Sequence, residues 1–319
     1  MRRSRVGRLW DFVIQVFPPH VNLTYGVLWA GAYEVAASSA GWRPSWATVI
    51  RALTVVLMLF YLRIVDEQKD LEYDRLHNPS RPLVTGVVSE RDLDQAMRLI
   101  VTVILAGNVF LSGLSTVVLL AFLGYTALLT EIENRWAGLR RRPLLHLAVV
   151  YPVQLLIGFY LYTSLAEAGS LQSYSRSLLL LLTFAVSFLH WEIARKTFRL
   201  PVPGVRTYSL SRLGPTGSGA VALLSATLAC VLAMLALQPW NEQGLTRLLA
   251  WAPGGALIFA VVGGVQFLSR RKDHWPVASA VLFLLTLYIL LIAQIFAKNE
   301  WVLMIAIQNV RLFDGEKHL

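Results

Sequence analysis

The sequence predicts an all-α, polytopic membrane protein, and two observations predict it. Of 319 residues, 56% are apolar and only 15% are charged, where a soluble domain carries about a quarter charged residues. The apolar residues also come in long runs, separated by loops whose basic residues favour one side.

Nine candidate spans follow in order: 21–40, 45–63, 96–113, 115–130, 145–165, 176–191, 217–237, 248–268 and 276–297. Each approaches the ~20 residues a helix needs to cross a ~30 Å hydrocarbon core. The third and fourth run together around Ser112 to Ser115, the least defined boundary. Numbering the loops alternately puts 22 of the 29 Lys and Arg on the N-terminal side. Four precede residue 20, six lie between 63 and 98, four between 135 and 142, five between 195 and 212, and three at 270–272. Such a bias over short loops marks the cytoplasmic side. The N-terminus is then cytoplasmic and the C-terminus outside, in a membrane like the bacterial inner membrane.

The net charge of +10 is therefore a topology signal, and no nucleic-acid partner is expected. The start, "MRRSRVGRLWDFVIQVFPP", is basic and then apolar. Asp11 interrupts it, Pro18-Pro19 ends it and a full span follows, so it reads as an uncleaved arm. The expected organisation is a basic arm (1–20), a membrane domain (21–297) and a C-terminal tail (298–319). Cys230 is the only cysteine, which excludes a disulfide within the chain. Oligomeric state stays open.

The chemistry concentrates where the second span ends, at "YLRIVDEQKDLEYDRLHNPSRPLVTG" (61–86). Asp66, Asp70 and Asp74 are spaced i, i+4, i+8, which on a helix puts three like charges on one face. Such pairs repel, so something cationic is expected among them. Lys69, Arg75 and Arg81 can serve as counter-ions on a solvated helix end. Short carboxylates also suit Mg²⁺, which takes one or two carboxylates, keeps waters and adds substrate phosphate oxygens. A row of aspartates at a membrane surface thus reads as a site for a metal-bound diphosphate with a lipid tail.

These residues resemble the first signature of UbiA-type intramembrane prenyltransferases: Asn/Asp-x-x-x-Asp-x-x-x-Asp, then Asn-Pro, Arg-Pro-Leu and a Gly. Here these are Asp66, Asp70 and Asp74, Asn78-Pro79, Arg81-Pro82-Leu83 and Gly86. Many members have Asn where Asp66 stands. The resemblance implies nine helices around a central cavity, an active site on the cytoplasmic face, and Mg²⁺ with a prenyl diphosphate of C10–C20 or longer. Arg63, Lys69 and Arg81 would then be substrate contacts.

The family's second acidic signature, about Asp-x-x-x-Asp after helix six, falls on "LHWEIARKTFRLPVPGVRTYSLSRLG". The trailing Gly204-Val205-Arg206-Thr207-Tyr208 is present. Of the acids only Glu192 remains, and Lys196 occupies the position four residues on, flanked by Arg195 and Arg199. The resemblance implies that Glu192 is a metal ligand beside Asp66, Asp70 and Asp74. The added cations suit direct contact with phosphate oxygens, Arg in two bonds and Lys as a point charge. Arg195, Lys196 and Arg199 are thus expected to clamp the diphosphate, with Asn22 and Tyr208 as further contacts. A positive-inside anchor is the plainer reading of the same segment.

An ionised allylic group needs a dry, electron-rich cavity. Phe60, Tyr61, Phe122, Tyr125, Tyr151, Phe159, Tyr160, Phe184, Phe188 and Trp191 are candidates, although aromatics in spans mostly pack. Glu34, deep in the first span, is an acceptor-side base or a contact between helices. His20, with Asn22 at the cytoplasmic start of that helix, is better placed to face the diphosphate or acceptor, or else caps the helix. His190 flanks the second loop, and Cys230 reads as packing. Where family members often carry a Lys-Arg pair near the acceptor, this chain has Glu131, Glu133, Asn134 and Arg135, so the acceptor is not implied. Three functions stand: prenyl transfer to an aromatic or other lipophilic acceptor, cyclisation of the prenyl chain itself, and a transporter or lipid-binding scaffold without turnover.

Overall fold

The computed structural model describes residues 4–39, 42–140, 142–201 and 207–295. Among the described residues no strand forms, only the isolated bridges Ser38–Leu171 and Phe198–His274. The helices are α1 (Arg5–Val16), α2 (Pro19–Ala37), α3 (Trp46–Lys69), α4 (Leu71–His77), α5 (Glu90–Asn108), α6 (Gly113–Arg135) and α7 (Ala137–Arg140). They continue as α8 (Pro143–Val150), α9 (Pro152–Glu167), α10 (Tyr174–Ala194), α11 (Gly214–Leu237), α12 (Gly244–Trp251), α13 (Leu257–Leu268) and α14 (Val277–Ile292).

Each predicted stretch falls on a helix or an adjoining pair, and the third and fourth separate at Val109–Ser112. Among the described residues six segments are long and apolar enough to cross a membrane: α3, α6, α8 with α9, α10, Gly214–Asn241 and Gly244–Leu268. The chain is an integral membrane protein on that ground. Nine crossings are not established. α14 is apolar but has 16 residues. α5 opens on Glu90, Arg91, Asp92 and Asp94, and α2 intersperses Asn22, Thr24 and Glu34. The expected C-terminal tail and Gly204-Val205-Arg206 lie outside the described residues.

Local chemistry sets the starts. Ser45 and Thr48 form a reciprocal capping box at α3, as do Ser89 and Asp92 at α5. Pro19 begins α2, where a missing N–H is harmless. Packing then closes a ring, because contacts run α2–α3–α5–α6–α9–α10–α11–α13–α14 and α14 returns to α2. Small residues allow close approach: a Cβ on Gly26 would meet Val56 Cγ2 at 2.6 Å. α10 also touches α2 and α14, and 61% of its apolar window is buried, the highest among the six. It is the helix nearest the centre.

α1 is fastened beside this ring. Arg8 Nη2 donates to both oxygens of Asp92, at 3.1 and 2.9 Å, and Arg63 Nε donates to the carbonyl of Val16 at 3.1 Å. Burial opposes the Asp92 charge, but the hydrogen bonds from Arg8 and Ser89 outweigh it and hold the pKa down to about 2. A folded pKa below the ordinary ~3.9 gives stability that is full above that pH and lost as pH falls toward 2. Asp92→Asn is therefore expected to lower the melting temperature at about pH 6, and the gap to the parent should close near about pH 2. Thermal unfolding in detergent across that range checks this, and a gap independent of pH would exclude the ion pair as its cause.

Candidate active site

The three aspartates stand where α3 passes into α4. Backbone bonds from Asp70 N to Asp66 O (3.0 Å) and from Asp74 N to Asp70 O (2.8 Å) carry the i, i+4 ladder through the junction. The helix is not ideal there: Asp70 leaves helical dihedrals, at φ −93° and ψ 8°. The side chains consequently meet different surroundings. Asp66 is half exposed and accepts from Lys69 Nζ at 3.0 Å. Asp74 is buried, accepts from Asn78 Nδ2 at 2.7 Å and has Arg81 Nε at 3.9 Å. The turn that brings Arg81 back ends at Gly86, whose φ of +75° suits glycine.

The acid holding most of these cations is Glu67, only 2% exposed. It takes an ion pair from Arg63 and another from Arg81 Nη1 at 3.0 Å. Lys69 reaches across to Glu133 of α6 at 3.2 Å, and Glu133 faces His146 Nε2 at 3.2 Å. Arg63, Lys69 and Arg81, expected as substrate contacts, thus act as counter-ions here. The sequence pattern does not mark Glu67, Glu133 or His146 as site residues. Arg63 and Glu67 are an i, i+4 pair, which was the available signal; the contacts of Glu133 and His146 are tertiary and leave none in sequence.

The second cluster closes α10. Glu192 Oε2 accepts from Arg195 Nε at 2.8 Å, while its Oε1 accepts from Lys196 Nζ and, at 3.0 Å, from the Tyr208 hydroxyl. Burial and the Glu192 carboxylate both raise the Tyr208 pKa, so this hydroxyl is a donor. The Arg195 guanidinium lies 4.5 Å over Trp191. Arg199 is engaged elsewhere: its backbone N–H donates to Asp273 O at 2.7 Å and its guanidinium bonds the Phe267 carbonyl. Asn22 Nδ2 donates back to Pro18 O of its own helix at 3.1 Å, and His20 is exposed.

Both clusters occupy one end of the ring. Ser39 N bonds Ser170 O and Gln172 N bonds Ala37 O, so the end of α2 and the start of α10 adjoin. α3 starts a few residues after Ser39, so α3 and α10 begin together and finish together at the opposite end. Among the described residues, no three His, Cys, Asp or Glu gather in a metal-holding group. Asp66 is drawn to Lys69, Asp74 to Asn78, and Glu192 to two cations and a phenol.

No protein-family profile matches the chain, and no curated protein matches it. Among solved structures, a UbiA homolog from Archaeoglobus fulgidus bound to DMAPP and Mg2+ superposes with a TM-score of 0.59 at 14% identity, covering 91% of this chain and 99% of that one. A UbiA homolog from Aeropyrum pernix K1 gives 0.56 at 17% identity, covering 87% and 97%. A digeranylgeranylglyceryl phosphate synthase gives 0.57 at 14% identity, covering 91% and 99%.

The chain has the UbiA fold.

Within this UbiA-fold ring, an aromatic group joins α2, α10 and α14. Tyr25 stacks with Tyr288 at 6.1 Å, Phe184 lies 4.6 Å from Tyr288, and Trp29 stacks on Phe184 at 6.4 Å. Phe188 and Trp191 continue it along α10, 5.2 Å apart. Phe159 points out of the ring, at 38% exposure. His190 Nδ1 donates to Ala222 O and the ring sits edge-on to Phe283 and Trp275, on another side of α10 from Glu192. Cys230 is buried packing.

Proposed function

We propose that this protein is a Mg²⁺-dependent intramembrane prenyltransferase, which ionises an allylic diphosphate and passes the prenyl group to an aromatic or other lipophilic acceptor. One observation carries the proposal: a continuous ladder of three aspartates and a cationic hook terminate two helices at the same end of a UbiA-fold ring. The solved UbiA homologues bound to DMAPP or GPP with Mg2+ support the substrate class.

The donor chemistry fits the metal. Carboxylate oxygens are the hard ligands Mg²⁺ takes, and one or two of them suffice when waters and phosphate oxygens complete the shell. Asp66, Asp70 and Asp74 would hold it, and a half-exposed Asp66 can exchange Lys69 for a metal. Bound there, the ion supplies Lewis acidity toward the departing diphosphate. Glu192 is assigned a different role. With Arg195, Lys196 and Tyr208 all on one carboxylate, it orients two cations, and the cluster keeps a net positive charge. Arg195 and Lys196 then bind phosphate oxygens directly, while Arg199 anchors the loop to α13. The aromatic group of Tyr25, Trp29, Phe184, Phe188 and Tyr288 gives the prenyl chain a dry, electron-rich wall.

Lys196→Ala is expected to raise KM for the diphosphate by roughly tenfold or more, the scale of one charge-assisted hydrogen bond, with the Mg²⁺ requirement unchanged. Unchanged kinetics with lower yield would make the hook purely structural. A cyclase remains the second reading, favoured by the acids that replace the basic pair expected near an acceptor. Glu133 there is buried and committed to Lys69 and His146. Purified protein with C10, C15 and C20 diphosphates plus Mg²⁺ and no acceptor separates the two. A cyclic hydrocarbon or terpene alcohol with diphosphate release identifies a cyclase. Release that requires an aromatic acceptor identifies a transferase, and no release under either condition removes both.

A further inference from the structure

The arm α1 carries more apolar surface than the protein covers. At 100° per residue, Phe12, Val16, Leu9, Val13, Val6, Trp10 and Ile14 span an arc of about 200°, interrupted by Arg5 alone, at the first residue of the helix. Asp11, Gln15 and Arg8 fill the remainder. Only the first half of that arc is seated: Phe12 is fully buried, Phe12 and Phe17 pack on Phe60 at 6.5 and 4.9 Å, and Leu9, Val13 and Val16 join the same core. The second half stands open, with Val6 78%, Trp10 57% and Ile14 48% exposed. On the polar side Arg8 is bound to Asp92, and Arg8, Asp11 and Gln15 line an open cavity of about 460 Å³ with Gly86 and Val87.

We infer that Val6, Trp10 and Ile14 dock α1 into the headgroup boundary of an anionic lipid surface, making the arm an interfacial helix. Three features select lipid as the occupant. α1 ends two residues before α2, so it cannot leave the edge of a bundle that already spans a membrane. Trp is the residue that prefers the boundary between headgroups and chains. Three arginines, Arg2, Arg3 and Arg5, crowd the first five residues, and an anionic leaflet attracts such segments. A helix with one apolar flank on protein and the other on lipid accounts for an arc too wide for either alone. The inference rests on the membrane assignment and is independent of the reaction proposed above.

The full chain, reconstituted in vesicles of phosphatidylcholine with or without phosphatidylglycerol, tests it. Trp10 is one of ten tryptophans, so its emission is read as the difference between the parent and Trp10→Phe, an exposed position that leaves the core intact. Phospholipids brominated near the headgroup end should quench that difference, more strongly with phosphatidylglycerol present. The triple variant Arg2→Gln/Arg3→Gln/Arg5→Gln, or about 1 M salt where the screening length falls to ~3 Å, should remove the extra quenching. Trp10 emission untouched by brominated lipid would overturn the inference. So would Ile14→Cys pairs that cross-link two copies in the bilayer, because the face would then belong to a second chain.

Discussion

Asp70→Asn and Asp74→Asn are each expected to lower diphosphate release at least about a hundredfold, the scale seen when one group that stabilises developing charge is removed. Asn keeps the shape and removes the charge that would hold Mg²⁺ against a diphosphate. The two positions separate a chemical loss from a folding loss. Asp74 is buried against Asn78 and Arg81, so its replacement also disturbs packing and should lower the melting temperature. Asp70 lies between α3 and α4 and is less buried than Asp74, so its replacement should lower the melting temperature less than that of Asp74. Asp66→Asn is the graded control. The resemblance implies that Asn works at that position, and Asp66 is half exposed and pairs with Lys69, so a loss of about tenfold or less is expected. Diphosphate release by folded, detergent-purified variants at saturating Mg²⁺ decides it. Near-parent turnover by both Asp70→Asn and Asp74→Asn would sink the metal assignment.

Much of the fold was legible because a helix crossing lipid must satisfy its own backbone and stay apolar, which the sequence records directly. Helix placement followed from that, and the separation at Val109–Ser112 followed from the Ser112 cap. The number of crossings was less legible. α2 and α5 mix polar residues into their runs, and burial inside a bundle tolerates what lipid does not. At the site, the i, i+4 ladder of aspartates was readable from spacing alone. What each carboxylate touches was not, because Asp70 departs from the helix and turns its neighbours into unequal environments. Arg199 shows the same limit: its charge fitted a clamp, yet its partner is a carbonyl 68 residues away. Spacing reports neighbours on one helix, and the loop between α10 and α11 is fixed by contacts from α13.

Arg51→Ala is expected to be among the most destabilising single changes in the chain, by about 3–5 kcal/mol, the loss found when one member of a buried ion pair is removed. Glu34 had two readings, acceptor-side base or helix contact, and its surroundings favour the second. Its Oε1 accepts from Arg51 Nη1 at 3.1 Å, Thr48 Oγ1 at 2.8 Å and Trp42 Nε1 at 3.1 Å, while Arg51 Nε donates to Ser164 Oγ at 2.9 Å. Both charged residues are only 3% exposed. Fifteen residues of α3 separate Arg51 from Asp66, about 22 Å at 1.5 Å per residue, so this network ties α2, α3 and α9 at the end away from the candidate site. The remedy is therefore instructive. Glu34→Gln/Arg51→Met removes both charges, leaves a flexible apolar chain in place of the guanidinium, and should recover most of the loss, since replacing a buried pair by apolar groups is often near neutral. Turnover per folded molecule should match the parent in that double variant. Unfolding midpoints in detergent, read beside diphosphate release, check both halves; a stable double variant that had lost turnover would return Glu34 to the chemistry.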